Sequence, residues 1–326
     1  MVAQTLGVGC AASHIRPFSL RRDLADLADL VETAFGDELA ATGSHMVEEM
    51  RQMAALGPLL HLAYLGWAPI RGYVWLHQGR VVGNVSLACD RERRWTLSNV
   101  AVRPEMRGQG IAGCLVDMAI EHVRQRGGKQ ITLQVLSDNP SAHALYTHRG
   151  LATYDTIHEL QLGPQCWPLA LRASHPLVRP LRQGDAPWLR DLMRASTPPS
   201  AHPYQQLGDS PARAGLWKQL LRALELFSQP QERIGLVAVL EDRPVGLATA
   251  TLRLLASWHE VRLYVAPADR GAVERPLLEA LLARLDSAPR RDVRATVSTT
   301  HPEAIAALHY LGFETQRVLD QMGRFL

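Results

Sequence analysis

Lysine is nearly missing from this 326-residue chain. It stands only at Lys129 and Lys218, and arginine carries the rest of the basic charge. With the excess of alanine and leucine, that bias points to GC-rich coding and hence to a bacterium. It says nothing of binding. An excess of one charge sign is also lacking. The formal net charge is +3, too small for this length to argue for nucleic acid or an anionic membrane as a partner. Cysteine is scarce. Cys10, Cys89, Cys114 and Cys166 lie far apart and form no C-x-x-C pair. That spacing argues against a disulfide framework or a zinc knuckle, reads Cys89 and Cys114 as buried small apolar residues, and fits a reducing cytoplasm. No uncharged apolar run is long enough to span a bilayer. The first residues show no basic region followed by a long apolar core, so no signal peptide is expected. The histidines show no H-E-x-x-H and no clustered ligand spacing, so no metal is expected.

What is present is order, and the order repeats. The length favours two domains, and either half could bury a core. Ile15–Pro17 reads as a short strand. Leu20–Phe35 carries Leu24, Leu27, Val31, Ala34 and Phe35 on one helical face, with Asp23 near its start. Met46–Leu56 reads as a helix that Gly57-Pro58 breaks. Gly72–Leu76 and Val81–Cys89 are β-rich runs around the hairpin signal Gln78-Gly79. Trp95–Val102 is the next strand. Gln109–Arg126 is an amphipathic helix stopped by Gly127-Gly128. A buried strand (Ile131–Leu136), a short helix (Pro140–Arg149) and a strand (Ala152–Leu160) follow. The Pro-rich Leu162–Pro176 breaks the pattern. After it the order starts again. Gly83 falls over Gly246, Val102 over Val265, Pro104 over Pro267 and Arg107 over Arg270, at a constant offset of 163 positions. Pro140 over Pro302 and Gly150 over Gly312 follow at 162. This is a tandem duplication. The expected organisation is a first domain over 1–163, a linker over 164–175 and a second domain over 176–326. Each is α/β, a twisted mixed but mostly antiparallel sheet flanked by helices.

The chain is organised around Leu97 to Arg126: an apolar strand, a loop with two glycines, and a long helix. Arg107–Gly113 offers consecutive N–H groups at a helix N-terminus, where the macrodipole favours an anion. A P-loop needs Lys and a hydroxyl residue after the last glycine, and neither follows Gly110. Gly108, Gly110 and Gly113 satisfy G-x-G-x-x-G. In a dinucleotide fold, however, the glycines follow the strand directly, and here four residues intervene. The second copy keeps Pro-x-x-Arg rather than Gly-x-Gly. A third reading, the pyrophosphate of coenzyme A, rests on a resemblance.

The run V-A-V-R-P-x-x-R-G-x-G-I-A resembles motif A of the GNAT superfamily of acyl-CoA-dependent N-acyltransferases. The pattern R/Q-x-x-G-x-G/A is met by Arg107, Gly110 and Ala112. Asn139-Pro140, Ala144-Leu145-Tyr146 and Gly150-Leu151 follow at family spacing. The resemblance covers most of Ile15–Leu160 and the second half more weakly. It implies that backbone of Val100, Ala101 and Val102 bonds the pantetheine arm like an added strand. Backbone N–H groups of Arg107, Gly108, Gln109, Gly110, Ile111 and Ala112 would hold the pyrophosphate. Asn139 would touch the cofactor arm, and Tyr146 would act as general acid beside the thioester sulfur. It also implies acetyl-CoA as co-substrate, a small-molecule amine or peptide as acceptor, and a monomer or homodimer. Simpler roles exist for three of these residues: helix-to-sheet packing for Tyr146, an N-cap for Asn139, and a loop staple for Arg107.

One departure stands out. Many relatives carry a carboxylate on the strand before motif A, and this chain has Leu97-Ser98-Asn99. Asp90 or Glu92 on the preceding strand's end, or a water held by Ser98 or Asn99, would then serve as base. The second copy reads as damaged. Gly110 becomes Val273, Ile111 becomes Glu274, Ala112 becomes Arg275, Asn139 becomes His301 and Tyr146 becomes Leu308. The expectation is a first half active as an acetyltransferase and a second half that keeps the fold without binding acyl-CoA, with Tyr310 or Glu260 as alternative contributors. A non-catalytic acyl-CoA sensor, or an enzyme like mycothiol synthase with its tandem layout, are the other readings.

Overall fold

The computed structural model describes residues 14–41, 51, 71–90, 93–168, 171–204, 231–253, 258–286 and 288–326. The helix expected across Met46–Leu56 lies outside them, save Arg51. Two compact units form: Met1–Thr153 with Gln321–Leu326, and Tyr154–Asp320.

The first unit runs β1 (Ile15–Pro17), α1 (Leu20–Ala41), β2 (Arg71–His77), β3 (Arg80–Cys89), β4 (Arg94–Val102), α2 (Ile111–Gln125), β5 (Gln130–Leu136) and α3 (Pro140–Thr147). Its strands lie in that order, antiparallel except for β4 and β5. The β2–β3 turn has positive φ at both Gln78 and Gly79, the signature of a type I′ turn, whose twist matches that of the strands. The two sheet faces bury different helices. On one, Ile111, Leu115, Met118, Ala119 and Val123 of α2 meet Val85, Leu87, Trp95 and Leu97. On the other, Leu24, Leu27 and Val31 of α1 meet Val74, Val81 and Ala101. The apolar spacing of three and four residues produces both stripes. Gly110 caps α2 in the left-handed conformation. After Arg126, the Gly127 N–H bonds the Arg124 carbonyl and the Gly128 N–H the Val123 carbonyl, a Schellman stop.

The second unit runs β6 (Ala152–Leu162), β7 (Val178–Pro180), α4 (Ala186–Ser196), β8 (Gln231–Leu240), β9 (Arg243–Arg253), β10 (Trp258–Val265), α5 (Glu274–Leu285), β11 (Asp292–Ser298), α6 (Pro302–Tyr310) and β12 (Glu314–Phe325). Its strands are ordered β12-β6-β11-β10-β9-β8-β7, and β10 and β11 are the parallel pair. Leu277, Leu278, Leu281 and Leu285 of α5 pack with Phe313 in its main core. The same ion pair recurs in both units, between β1 and α1 in the first and between β7 and the residue preceding α4 in the second. Arg16 holds both carboxylate oxygens of Asp23 at 2.6 Å, and Arg179 holds those of Asp185 at 2.7 and 2.8 Å.

The boundary differs from the one expected at the Pro-rich segment. From Tyr154 onward, β6 belongs to the second unit, and β12 returns to the first from Gln321. Periodicity finds strands but does not say which sheet receives them. Met322 is buried in the core beside α2. The Leu326 N–H bonds the Lys129 carbonyl at 3.0 Å.

Cysteine is also corrected. Cys114 is disulfide-bonded. Cys89 is exposed rather than buried. It ends β3, where the exposed end of a strand leaves it uncovered. Its thiol is pushed up by partial burial and the neighbouring Asp90, which does not suit a nucleophile. Among the described residues no helix is long and apolar enough to cross a membrane.

Met322→Ala removes a side chain from a core whose other buried members lie between Tyr73 and Leu151. It should destabilise the first unit by about 2–5 kcal/mol, read by denaturant melting followed at the α2 segment.

Candidate functional site

Two features of β4 open the sheet. The first is its parting from β5. The ladder pairs only Arg94–Thr96 with Gln130–Thr132, although β4 runs to Val102 and β5 to Leu136. Past Thr96 the strands separate, and β4 turns backbone toward the gap. The second is a bulge. Asn84 pairs with Ala101 but Ser86 pairs with Ser98, so Asn99 and Val100 together oppose one residue of β3. Asn99 takes φ +50° within the strand, a left-handed conformation costing a non-glycine residue on the order of 1 kcal/mol or more. The cost is met locally. The Asn84 side-chain amide donates to the Asn99 carbonyl at 2.8 Å and to the Ser86 hydroxyl at 3.2 Å. One such bond contributes about 1 kcal/mol, of the same size as the strain it holds.

The loop after β4 presents N–H groups. Gly108 and Gly110 both have φ +77°, and a Cβ on either would meet nothing within 4 Å. Left-handed residues in such a loop turn successive N–H groups to one side, forming an anion-binding nest. No side chain caps α2, and its first turn carries no acid. Arg107 is a staple: its Nε donates to the Val102 carbonyl at 3.2 Å. One backbone acceptor expected to meet the pantetheine arm is thereby already engaged. Gly113 has a packing reason. A Cβ there would overlap the Arg149 guanidinium, which grips Asp117 at 2.8 and 3.0 Å. The third glycine of the dinucleotide-like spacing is thus explained without a nucleotide.

The other expected site residues separate into two groups. Val100, Ala101, Val102, Gln109, Ile111 and Ala112 all lie along the strand, loop and first turn just described. Asn139 is an N-cap, its Oδ1 accepting from the Ala142 N–H at 3.0 Å. Tyr146 is buried against the α2 core, and burial pushes its hydroxyl up to about 12. Asp90 lies at the other end of β4. It accepts from the Arg94 backbone and guanidinium at 2.9 and 2.7 Å. The five residues from Arg94 to the bulge span roughly 16 Å at strand rise. Glu92 lies outside the described residues. The side chains gathered at the bulge, Asn84, Ser86 and Asn99, are neutral.

The second unit fills the equivalent nest from within. Glu274, 2% exposed at the head of α5, accepts from the Gly271 N–H at 2.8 Å and the Val273 N–H at 3.2 Å. Its other oxygen meets His301 Nε2 at 2.9 Å. Burial alone would raise this carboxyl. The hydrogen bonds from His301 and the loop backbone outweigh it and hold the group below the usual carboxylate range. Tyr310 is exposed, with Arg275 stacked 3.8 Å over its ring, and Glu260 pairs with Arg262 at 2.7 Å.

Asn84 is the residue that reading the sequence missed. The available signal was a lone amide inside the apolar run Val81–Cys89, standing where the second copy has Leu247.

Glu274→Ala leaves the Gly271 and Val273 N–H groups without an acceptor. It should cost the second unit about 1–3 kcal/mol, measured by denaturant unfolding near neutral pH. The stability tied to this carboxylate is present above the ordinary glutamate range and is lost as pH falls through its lowered native value. The variant should lack that acid limb.

The geometry has counterparts. Residues 38–151 match the model of the "Acetyltransferase (GNAT) family". The chain is similar to N-alpha-acetyltransferase 30 of Schizosaccharomyces pombe, with 31% identity over 99 residues that cover 29% of this chain and 66% of that protein. Its fold is similar to that of a GCN5-related N-acetyltransferase from Sphaerobacter thermophilus, with a TM-score of 0.63 and 15% identity over 96% of both chains. It is similar also to a tandem GNAT protein from the clavulanic acid biosynthesis pathway, with a TM-score of 0.57 and 17% identity over 95% of this chain and 98% of that one. With motif A at the head of α2, residues 38–151 carry a GNAT acetyltransferase domain, and the chain as a whole has a mixed α/β fold similar to that of a tandem GNAT protein.

Proposed function

We propose that the first unit transfers an acetyl group from acetyl-CoA to a primary amine of a small molecule or peptide. One observation carries the reading. Among the described residues no side chain caps the glycine nest at the head of α2 and its first turn carries no acid, whereas Glu274 fills its counterpart. An open nest beside parting strands suits a ligand with a pyrophosphate at one end and a hydrogen-bonding arm behind it.

The residues divide the work as follows. N–H groups from Arg107 to Ala112 take the pyrophosphate. Backbone of β4 beyond Thr96 meets the pantetheine arm, and an N–H there stabilises the oxyanion as the amine attacks the thioester carbon. The carbon–sulfur bond then breaks and the sulfur leaves with the electron pair. Tyr146, held near 12 by burial, is protonated throughout the neutral range and donates to that sulfur. Complete proton transfer to a thiolate of ordinary pKa about 8.5 would be uphill by roughly 5 kcal/mol. Tyr146 therefore acts chiefly as a hydrogen-bond donor. The amine's proton passes to a water held near Ser98 or Asn99. The missing carboxylate at the bulge favours a second reading, a non-catalytic acyl-CoA sensor, in which the same nest binds without turnover.

Calorimetric titration of acetyl-CoA should show one site per chain, and two equivalent sites would sink the assignment to the first unit. Thiol release from acetyl-CoA across a panel of amines separates enzyme from sensor. Tyr146→Phe should lower that release about tenfold, the scale of one hydrogen bond, with little change in acetyl-CoA affinity. The wild-type rate should show no alkaline loss from Tyr146 until pH approaches about 12. Turnover undiminished in Tyr146→Phe removes its role.

A further inference from the structure

The two copies of the fold differ at a place the cofactor loop does not explain. In the second unit β9 and β10 pair without interruption, from Thr251↔Glu260 to Gly246↔Val265. No residue of β10 has positive φ. The position of Asn84 is taken there by Leu247, buried in an apolar cluster with Leu192 and Val237. In the first unit the ladder slips by one residue between Asn84 and Ser86, and Asn99 goes left-handed. Bulge and asparagine occur together in the copy with the open nest. Both are missing from the copy whose nest is filled.

Asn84 itself is hard to account for as packing. It is 1% exposed, on a sheet face otherwise lined by Val74, Val81 and Ala101. Only its NH2 group is used, toward the Asn99 carbonyl and the Ser86 hydroxyl. Because Nδ2 faces a carbonyl, flipping the amide would set oxygen against oxygen, so its orientation is fixed. The atom left over, Oδ1, is buried with no hydrogen-bond partner. Orphaned buried acceptors are rare in native proteins and ask for a reason. Leucine at this position makes a sound core in the sister unit, so the fold does not require an amide.

We propose that Asn84 is the positioning residue of the acyl site. By gripping the Asn99 carbonyl it holds the β4 bulge. The bulge rotates the backbone of Val100–Val102 relative to an ordinary strand, aiming its N–H groups into the gap with β5. Oδ1 is left as an acceptor for a donor that arrives with the substrate or its water. The role presupposes acetyl-CoA in the first unit.

Hydrogen exchange on the full chain, with and without acetyl-CoA, tests this. In the wild type, acetyl-CoA should protect both 97–102 and 107–113. In Asn84→Leu, which installs the sister unit's residue, and in the smaller Asn84→Ser, protection of 107–113 should persist. Protection of 97–102 should be lost in both variants. Acetyl-CoA affinity should fall about tenfold, the scale of one or two backbone hydrogen bonds. Wild-type protection and affinity in both variants overturn the proposal. Equal loss at both segments in both variants also overturns it, because that is the mark of a merely structural residue. A wild type that acetyl-CoA protects nowhere fails earlier, at the reading of the first unit itself.

Discussion

Backbone N–H groups bunched at the head of a helix need an acceptor, and the architecture of this chain turns on how that need is met twice. In the second unit the chain supplies its own carboxylate. Glu274 sits where the first unit has Ile111 and takes the Gly271 and Val273 donors. A buried carboxylate is costly unless several donors surround it, and His301 completes the set. In the first unit no side chain caps the helix and its first turn carries no acid. A nest finished internally is a structural knot. Of the differences between the two loops, Glu274 in place of Ile111 supplies the carboxylate, and His301 in place of Asn139 supplies its further partner.

The same contrast runs along the sheet. Where β10 is regular its neighbours are apolar, and Leu247 packs as any core leucine would. Where β4 is bulged it needs a polar partner inside the sheet, and Asn84 and Ser86 provide one. Irregular backbone and buried polar side chains therefore come as a pair. The bulge exposes a carbonyl that must be bonded, and the side chain that bonds it is too polar to stay without the bulge.

Much of this was legible beforehand. The helical stripes of α1 and α2, the Gln78-Gly79 hairpin and the glycine stop after α2 follow from spacing and turn chemistry. The repeat followed from a constant offset. The damage at Val273 and Glu274 was legible as loss. That Glu274 is a replacement anion was not, because hydrogen bonds to loop backbone leave no trace in residue spacing. Asn84 escaped for a similar reason. A single polar residue in an apolar strand looks like tolerance until its partner, a carbonyl 15 positions away, is known. Asp90 drew notice by its charge and lies at the wrong end of the strand, already paired with Arg94. The allocation of β6 and β12 depends on which sheet has room, and no local pattern records that.

That allocation bears on why the damaged half persists. The first repeat gives most of its last strand to the second unit, and the second repeat returns the end of its own, with Met322 and Leu326, to the first. A gene that discarded the second repeat would discard part of the first unit's core with it. The first unit is thereby tethered to its sister by inheritance of parts. Mutation was free to erase the second nest and not free to erase the domain around it.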